Sequence, residues 1–120
     1  GPMGGMFKAA HGALCGRLLP FVMAMNISAL QRRAPDSPSL ARYEEVARIV
    51  TGKANATATD GINWVQKTCA VLKLPPLSDY GITEADFQSL IEKAQKASSM
   101  KGNPVQLTEA ELVEILQQAL

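Results

Sequence analysis

The spacing of apolar residues constrains the fold of this chain more than any other feature. Through every long segment they recur at intervals of three and four, the period of one helix face, and no segment alternates with the period of two typical of a half-buried strand. The 120 residues, 47% of them hydrophobic, provide material for one modest core. We therefore predict an all-α domain, a compact bundle of five to six helices.

The first predicted helix, residues 7–30, is apolar on nearly all sides and is expected to lie in the middle of the fold. Pro20 lacks a backbone donor and crowds the preceding turn, so we expect a kink or a break there. Residues 31–39 contain two prolines and predict a loop. The large apolar residues of one face are Leu14, Leu18, Phe21, Val22 and Met25.

Turn and cap signals delimit the remaining helices. Gly52 is a stop signal, Thr83 is a candidate N-cap, and Thr108 with Glu111 forms a capping box. The predicted helices are residues 39–51, 59–72, 83–98 and a last helix after Thr108. The inner stripe of the third is predicted to be Ile62, Val65, Cys69 and Leu72.

The charge pattern excludes some partners. Twelve basic and eleven acidic residues give a net charge of +1, unlike the strongly basic surface of a dedicated nucleic-acid binder. We interpret the adjacent pair Arg32–Arg33 as part of a solvated loop, and Glu109, Glu111 and Glu114 as a solvated helix face. No nucleic-acid partner is predicted.

The chain also shows no pattern typical of a membrane protein. Arg17, Pro20 and Arg32–Arg33 interrupt the hydrophobic stretches, so we expect no bilayer-spanning segment. The start of the chain lacks the charged and apolar regions of a signal peptide. We predict a small cytoplasmic domain.

Few residues are suited to catalysis. Cys15 and Cys69 are isolated in apolar runs and are interpreted as buried small hydrophobic residues. His11, the single histidine, stands four residues before Cys15, so both side chains could face one metal; a closed zinc site needs four ligands, and no other residues have a convincing spacing. Taken alone, His11 is interpreted as a histidine satisfied by water or backbone. No catalytic and no cofactor-binding residue is predicted.

Four segments, in order, resemble one enzyme family. Residues 11–26 contain His11-Gly12, then Leu18-Leu19-Pro20, Val22-Met23 and Asn26, and resemble the HG…LLP.VM..N segment of iron-containing (group III) alcohol dehydrogenases. Residues 43–52 resemble the family's helix that ends ARxxG, and residues 74–82 its IPxxLxDxGI turn. Gly102-Asn103-Pro104 is similar to its GNP ending.

The resemblance implies a fold and a chemistry. Members have an N-terminal α/β domain that binds NAD(P) and a C-terminal helical domain, with Fe²⁺ or sometimes Zn²⁺ between them. One aspartate and three histidines hold the metal, and the last histidine belongs to the HG motif. The resemblance therefore implies that His11 is one of four metal ligands. The chain departs from the family pattern at Ala10, where proline is usual, and at Val105, where arginine is frequent.

The other ligands and the nucleotide domain would lie upstream of residue 4. We interpret residues 1–3 as the remnant of a cleaved tag, and residues 4–120 as a single helical domain truncated from a two-domain parent. One imidazole should hold iron or zinc only weakly, so the isolated chain is expected to be inactive and to bind no cofactor tightly. Its expected partner is the missing nucleotide-binding domain.

Two alternatives are a stand-alone helical interaction module and a fragment of an enzyme like dehydroquinate synthase or glycerol dehydrogenase. In either case we expect an apolar patch where a neighbouring domain once lay, and hence a homodimer or an exchange of N-terminal segments. The residues expected in that patch are Phe7, Leu14, Phe21 and Met25.

Overall fold

The computed structural model describes residues 11–98 and 100–120, together with the backbone of Ser99. Within this range the chain forms helices and no strand, which confirms the predicted all-α bundle. The α-helices are α1 (His11–Arg33), α2 (Pro38–Thr51), α3 (Ala58–Val71), α4 (Phe87–Lys96) and α5 (Glu109–Ala119). Short 3₁₀ helices cover Leu77–Tyr80, Glu84–Asp86 and Ser98–Gly102. The expectations for residues 1–10, including Phe7, lie outside the described residues.

Helix α1 is the central element, as predicted. It packs against α2, α3 and α5, while α2 packs most extensively on α3, and α4 packs on α5. Its buried residues are Leu14, Pro20, Met23, Met25, Asn26, Ile27, Ala29 and Leu30. Of the kink or break expected at Pro20, the break is absent, because α1 runs as one helix through that residue and on to Arg33, into the predicted loop.

Local cap chemistry sets the ends of the other helices. Gly52 ends α2 with φ of 71°, in the left-handed region where glycine carries no steric penalty. The predicted box of Thr108 with Glu111 is present, and Thr83 is part of a further box with Asp86. A third box, Thr57 with Asp60, opens α3, although the sequence analysis did not identify it.

One predicted inner position is wrong. Leu72 is 64% exposed, because α3 ends at Val71 and the chain turns away at Lys73, which has φ of 55°.

Two neighbouring cores hold the helices together. The larger consists of Leu14, Leu77, Ile82, Phe87, Leu90, Ile91, Leu116 and Ala119. The smaller consists of Met25, Ala29, Leu107 and Ile115. Leu18, Phe21 and Leu112 pack against both cores and join them.

The predicted apolar patch is therefore wrong. Leu14 and Met25 are only 3% and 8% exposed, and Phe21 is half-buried, because all three serve the cores. The large apolar side chains that the described part of the chain exposes are Leu19, Val46, Ile49, Trp64, Val71 and Leu72.

An ion cluster joins the C-terminal end of α1 to the start of α5. Both Arg32 and Arg33 donate to the Glu111 carboxylate, at 2.9–3.0 Å, and Arg33 also donates to the Gln106 carbonyl oxygen at 2.9 Å. The Thr108 amide donates to Glu111 at 2.8 Å. Glu111 is only 7% exposed, so the prediction that it is solvated is wrong. Arg32 and Arg33 are exposed as predicted, but they belong to helix α1 and not to a loop.

The hydrogen bond from Arg33, together with that from the Thr108 amide, lowers the pKa of Glu111 from 4.5 to about 2. The carboxylate therefore stays charged in the fold well below the pH at which it would take up a proton in the unfolded chain.

A pair of asparagine side chains, Asn26 buried and Asn103 half-buried, connects the segment after α4 to α1. The side chains of Asn26 and Asn103 hydrogen-bond reciprocally, each amide group donating to the other's oxygen at 2.9 Å. The amide group of Asn26 also donates to the Tyr43 hydroxyl at 3.1 Å, and that of Asn103 to the Val105 carbonyl at 2.6 Å. Asn26 is 2% exposed, and these partners offset its desolvation.

By length and composition alone, α1 is long and apolar enough to cross a membrane. In the fold, 44% of that apolar window is buried inside the domain. The core helix of a water-soluble protein meets the same criterion, and the core contacts of α1 account for its apolar character.

We expect Glu111→Gln to lower the free energy of unfolding by about 1–2 kcal/mol at neutral pH, because the cluster loses its charge-assisted hydrogen bonds. Urea denaturation followed by circular dichroism would measure this. The control Glu114→Gln changes an exposed side chain on the same helix and should stay within about 0.5 kcal/mol.

The contribution of Glu111 to the free energy of unfolding should decrease as the pH falls. A lowered pKa in the fold means that the Glu111 contribution is complete above the ordinary value of 4.5 and is lost as pH falls towards about 2. The difference in stability between wild type and Glu111→Gln should therefore shrink through this window. A difference that stays constant from pH 5 to about pH 2 would contradict the assigned role.

Candidate metal-binding end of helix α1

The described part of α1 begins with the two side chains that the sequence analysis paired. His11 and Cys15 are both exposed, one helical turn apart. The Cys15 Sγ lies 3.4 Å from Nε2 of His11 and 4.0 Å from its Nδ1. The prediction that Cys15 is buried is wrong, whereas Cys69 is half-buried.

The residues between and just after His11 and Cys15 hold this end of α1 in place through their contacts. Leu14 is buried in the larger core, whereas His11 and Cys15, in the same turn of the helix, are exposed. The Arg17 Nε donates to the Ala119 carbonyl oxygen at 2.9 Å, and its guanidinium lies 5.3 Å from the centroid of the Phe21 ring. A Cβ at Gly16 would lie 2.7 Å from Leu74 Cδ1, so glycine allows Leu74 to pack directly on the helix.

The continuity of α1 has a specific physical cause. Proline at position 20 has no N–H to donate to the Gly16 carbonyl, which would be its partner in a regular helix. The Cys69 thiol, on α3, donates to that carbonyl at a distance of 3.3 Å. A side chain from a neighbouring helix thus takes the place of the missing backbone donor, which local sequence rules do not reveal.

The donors at this end do not complete a metal site within the described residues. Nowhere in that range do three or more histidine, cysteine, aspartate or glutamate side chains lie together in a way that could hold a metal ion. Imidazole nitrogen and thiolate sulfur are ligands that Zn²⁺ and Fe²⁺ accept, and the exposed positions leave space for ligands from outside this chain. The residues present therefore fit one part of a metal site.

A cavity of about 480 Å³ lies elsewhere in the fold. Its walls come from the end of α4, the loop that follows, and α5, and include Lys101, Asn103 and Leu112. Lys101 is the one charged residue of its lining. The cavity is thus separate from the His11–Cys15 end of α1.

The Cys69–Gly16 hydrogen bond predicts that substitutions at positions 69 and 20 have coupled effects on stability. We expect Cys69→Ala to destabilise the chain by about 1 kcal/mol, because the Gly16 carbonyl loses its donor. In a Pro20→Ala background the backbone N–H at position 20 is restored, so the same change should cost about 0.5–1 kcal/mol less. Urea denaturation of the four proteins of this cycle measures the coupling. An equal cost in both backgrounds would contradict the explanation.

Comparison with known proteins identifies relatives of this chain. The C-terminal model of the Fe-containing alcohol dehydrogenase family matches residues 1–120. The 1,3-propanediol dehydrogenases of Citrobacter freundii and Klebsiella pneumoniae are each 29% identical over 119 residues, which is 98% of this chain and 30% of theirs. A crystal structure of 1,3-propanediol oxidoreductase superposes with a TM-score of 0.78 at 25% identity, over 99% of this chain and 30% of that one.

This chain thus spans about 30% of the length of the relatives it matches. The match of the family model over the full sequence confirms the resemblance drawn from the four motifs. The chain belongs to the Fe-containing alcohol dehydrogenase family, and it corresponds to the family's C-terminal, helical part.

Proposed function

We propose that this chain is the helical part of a metal-dependent, NAD(P)-linked alcohol dehydrogenase, which interconverts an alcohol and an aldehyde or ketone. The observation that carries the proposal is the family match over the whole chain, combined with the exposed His11 at the start of α1. The relatives are named for 1,3-propanediol. We transfer to this protein only the class of alcohol substrates.

In this proposal His11 is one of four ligands of Fe²⁺ or Zn²⁺, and an aspartate and two histidines upstream supply the others. Such an ion, when bound, provides Lewis-acid polarisation of the substrate oxygen. His11 contributes a nitrogen donor held in place by the packing of α1. The NAD(P) site belongs to the N-terminal domain of the parent, which is the proposed partner of this chain.

The isolated chain is proposed to be inactive. Metal affinity depends on the number of ligands that converge on the ion, and one imidazole retains little of the binding energy of four. Hydride transfer also requires a nicotinamide held against the substrate, which is the task of the other domain. A cytoplasmic location of the parent remains a prediction.

Metal binding tests the role of His11. Calorimetric titration of this chain with Zn²⁺ or Fe²⁺ should show weak binding that His11→Ala abolishes. The control Asp36→Ala, which removes an exposed carboxylate from the loop after α1, should leave it unchanged. Tight stoichiometric binding by the isolated chain would show that it builds a site of its own and would contradict the proposal.

The longer parent provides an independent test. There His11→Ala should lower metal affinity at least about tenfold, together with dehydrogenase activity. Full metal content and full activity in that variant would exclude His11 as a ligand.

We also propose that the isolated chain self-associates. The residues proposed for this contact differ from those of the patch predicted from the sequence. Leu19, Ile49, Val71 and Leu72 are exposed, and covering such side chains is favourable. Light scattering across a concentration series should show dimers, and Val71→Ser with Leu72→Ser should shift them towards monomer. A monodisperse monomer at high concentration would contradict this proposal.

A further inference from the structure

The separation of the two donor atoms at the start of α1 matches that of two ligands on one metal ion. In a tetrahedral zinc site, with Zn–N of about 2.05 Å and Zn–S of about 2.3 Å, the nitrogen and sulfur ligands lie about 3.6 Å apart. Nε2 of His11 and Sγ of Cys15 are 3.4 Å apart. The two atoms are therefore close to chelating distance without a change of backbone.

We propose that Cys15 is a second metal-binding side chain, which forms with His11 a His-X₃-Cys chelate for a thiophilic divalent cation such as Zn²⁺. The inference rests on the proposed function, because it takes His11 as a metal ligand. It adds a sulfur donor that the four-ligand set of one aspartate and three histidines does not contain.

The helix geometry supports a chelate. Residues at i and i+4 lie on the same face one turn apart, as do the two zinc-binding histidines of an HExxH helix. Leu14, the residue before Cys15, is buried in the larger core, and the Arg17 Nε donates to the Ala119 carbonyl oxygen at the end of α5, so this turn has a fixed orientation. A rigid frame lowers the entropy lost when both side chains bind one ion.

The exposure of both side chains supports the same assignment. His11 and Cys15 face outward, so the remaining coordination positions of a bound ion are open to water or to ligands from another domain. Thiolate is a soft ligand that favours zinc over calcium or magnesium. The pair therefore biases this end of α1 towards zinc-type ions.

Cobalt(II) is the probe for the test, because it replaces zinc and gives a near-ultraviolet charge-transfer absorption only when sulfur is a ligand. The chain is titrated with Co²⁺ under anaerobic conditions, with Cys69→Ala as the matched cysteine control. We expect the sulfur band in wild type and in Cys69→Ala, and its loss in both Cys15→Ala and His11→Ala. The Zn²⁺ affinity measured by competition should fall about tenfold in Cys15→Ala.

Thiol alkylation gives a second readout. Zn²⁺ should slow the alkylation of Cys15 and leave the rate at Cys69 unchanged, since the Cys69 thiol donates to the Gly16 carbonyl oxygen and is not part of the proposed chelate. Circular dichroism of His11→Ala and Cys15→Ala should show unchanged helix content, because both side chains are exposed.

The outcomes separate this inference from the proposed function. Cobalt binding that requires His11 but produces no sulfur band would overturn the chelate and leave His11 as a ligand. A band that survives Cys15→Ala and disappears in Cys69→Ala would also overturn it. No cobalt binding at all would overturn the chelate, while the metal content of the longer parent would still decide the role of His11.

Discussion

The unbroken course of α1 through Pro20 is the constraint on which the rest of the structure depends. Both cores pack against this helix, the candidate metal ligands stand at its start, and the arginine pair stands at its end. A proline in the interior of a helix normally costs about 3 kcal/mol, partly through the lost hydrogen bond. The Cys69 thiol restores a donor to the Gly16 carbonyl and so offsets part of that cost.

Helix α5 is bonded to α1 at both of its ends, and this explains how the orientation of the first turn of α1 is maintained. At the start of α5, Glu111 binds Arg32 and Arg33. At its end, the Ala119 carbonyl accepts from Arg17. The two helices therefore run antiparallel, and a rotation of α1 about its axis would break bonds at both ends.

Local features of the sequence predicted the helices well, because caps and turns are determined by neighbouring residues. The stop at Gly52 and the capping box of Thr108 with Glu111 were both correct. Interactions between distant residues were not predictable in the same way. The pairing of Arg33 with Glu111, and of Asn26 with Asn103, joins residues more than seventy positions apart that carry no local signal of contact.

At the candidate site, too, local features were predictable from the sequence and contacts between distant residues were not. Helical periodicity correctly placed His11 and Cys15 on one face, but it did not establish that Cys15 is exposed. Leu14 and Met25 were expected on a surface that a neighbouring domain once covered, yet each is enclosed by residues from later helices. An apolar stripe identifies a face that needs covering, and only the fold shows whether this chain covers it.

The residues that stabilise the fold differ from the candidate metal-binding residues in the first turn of α1. The cores and the ion cluster of Arg32, Arg33 and Glu111 exclude His11 and Cys15, both of which are exposed. In the proposed site His11 is carried by a domain with its own apolar cores, unlike the ligands of a zinc finger, in which metal binding supplies the folding free energy. Substitutions at the exposed positions 11 and 15 therefore test the proposed metal chemistry, whereas substitutions at Glu111 or Cys69 test the packing of α1 against its neighbours.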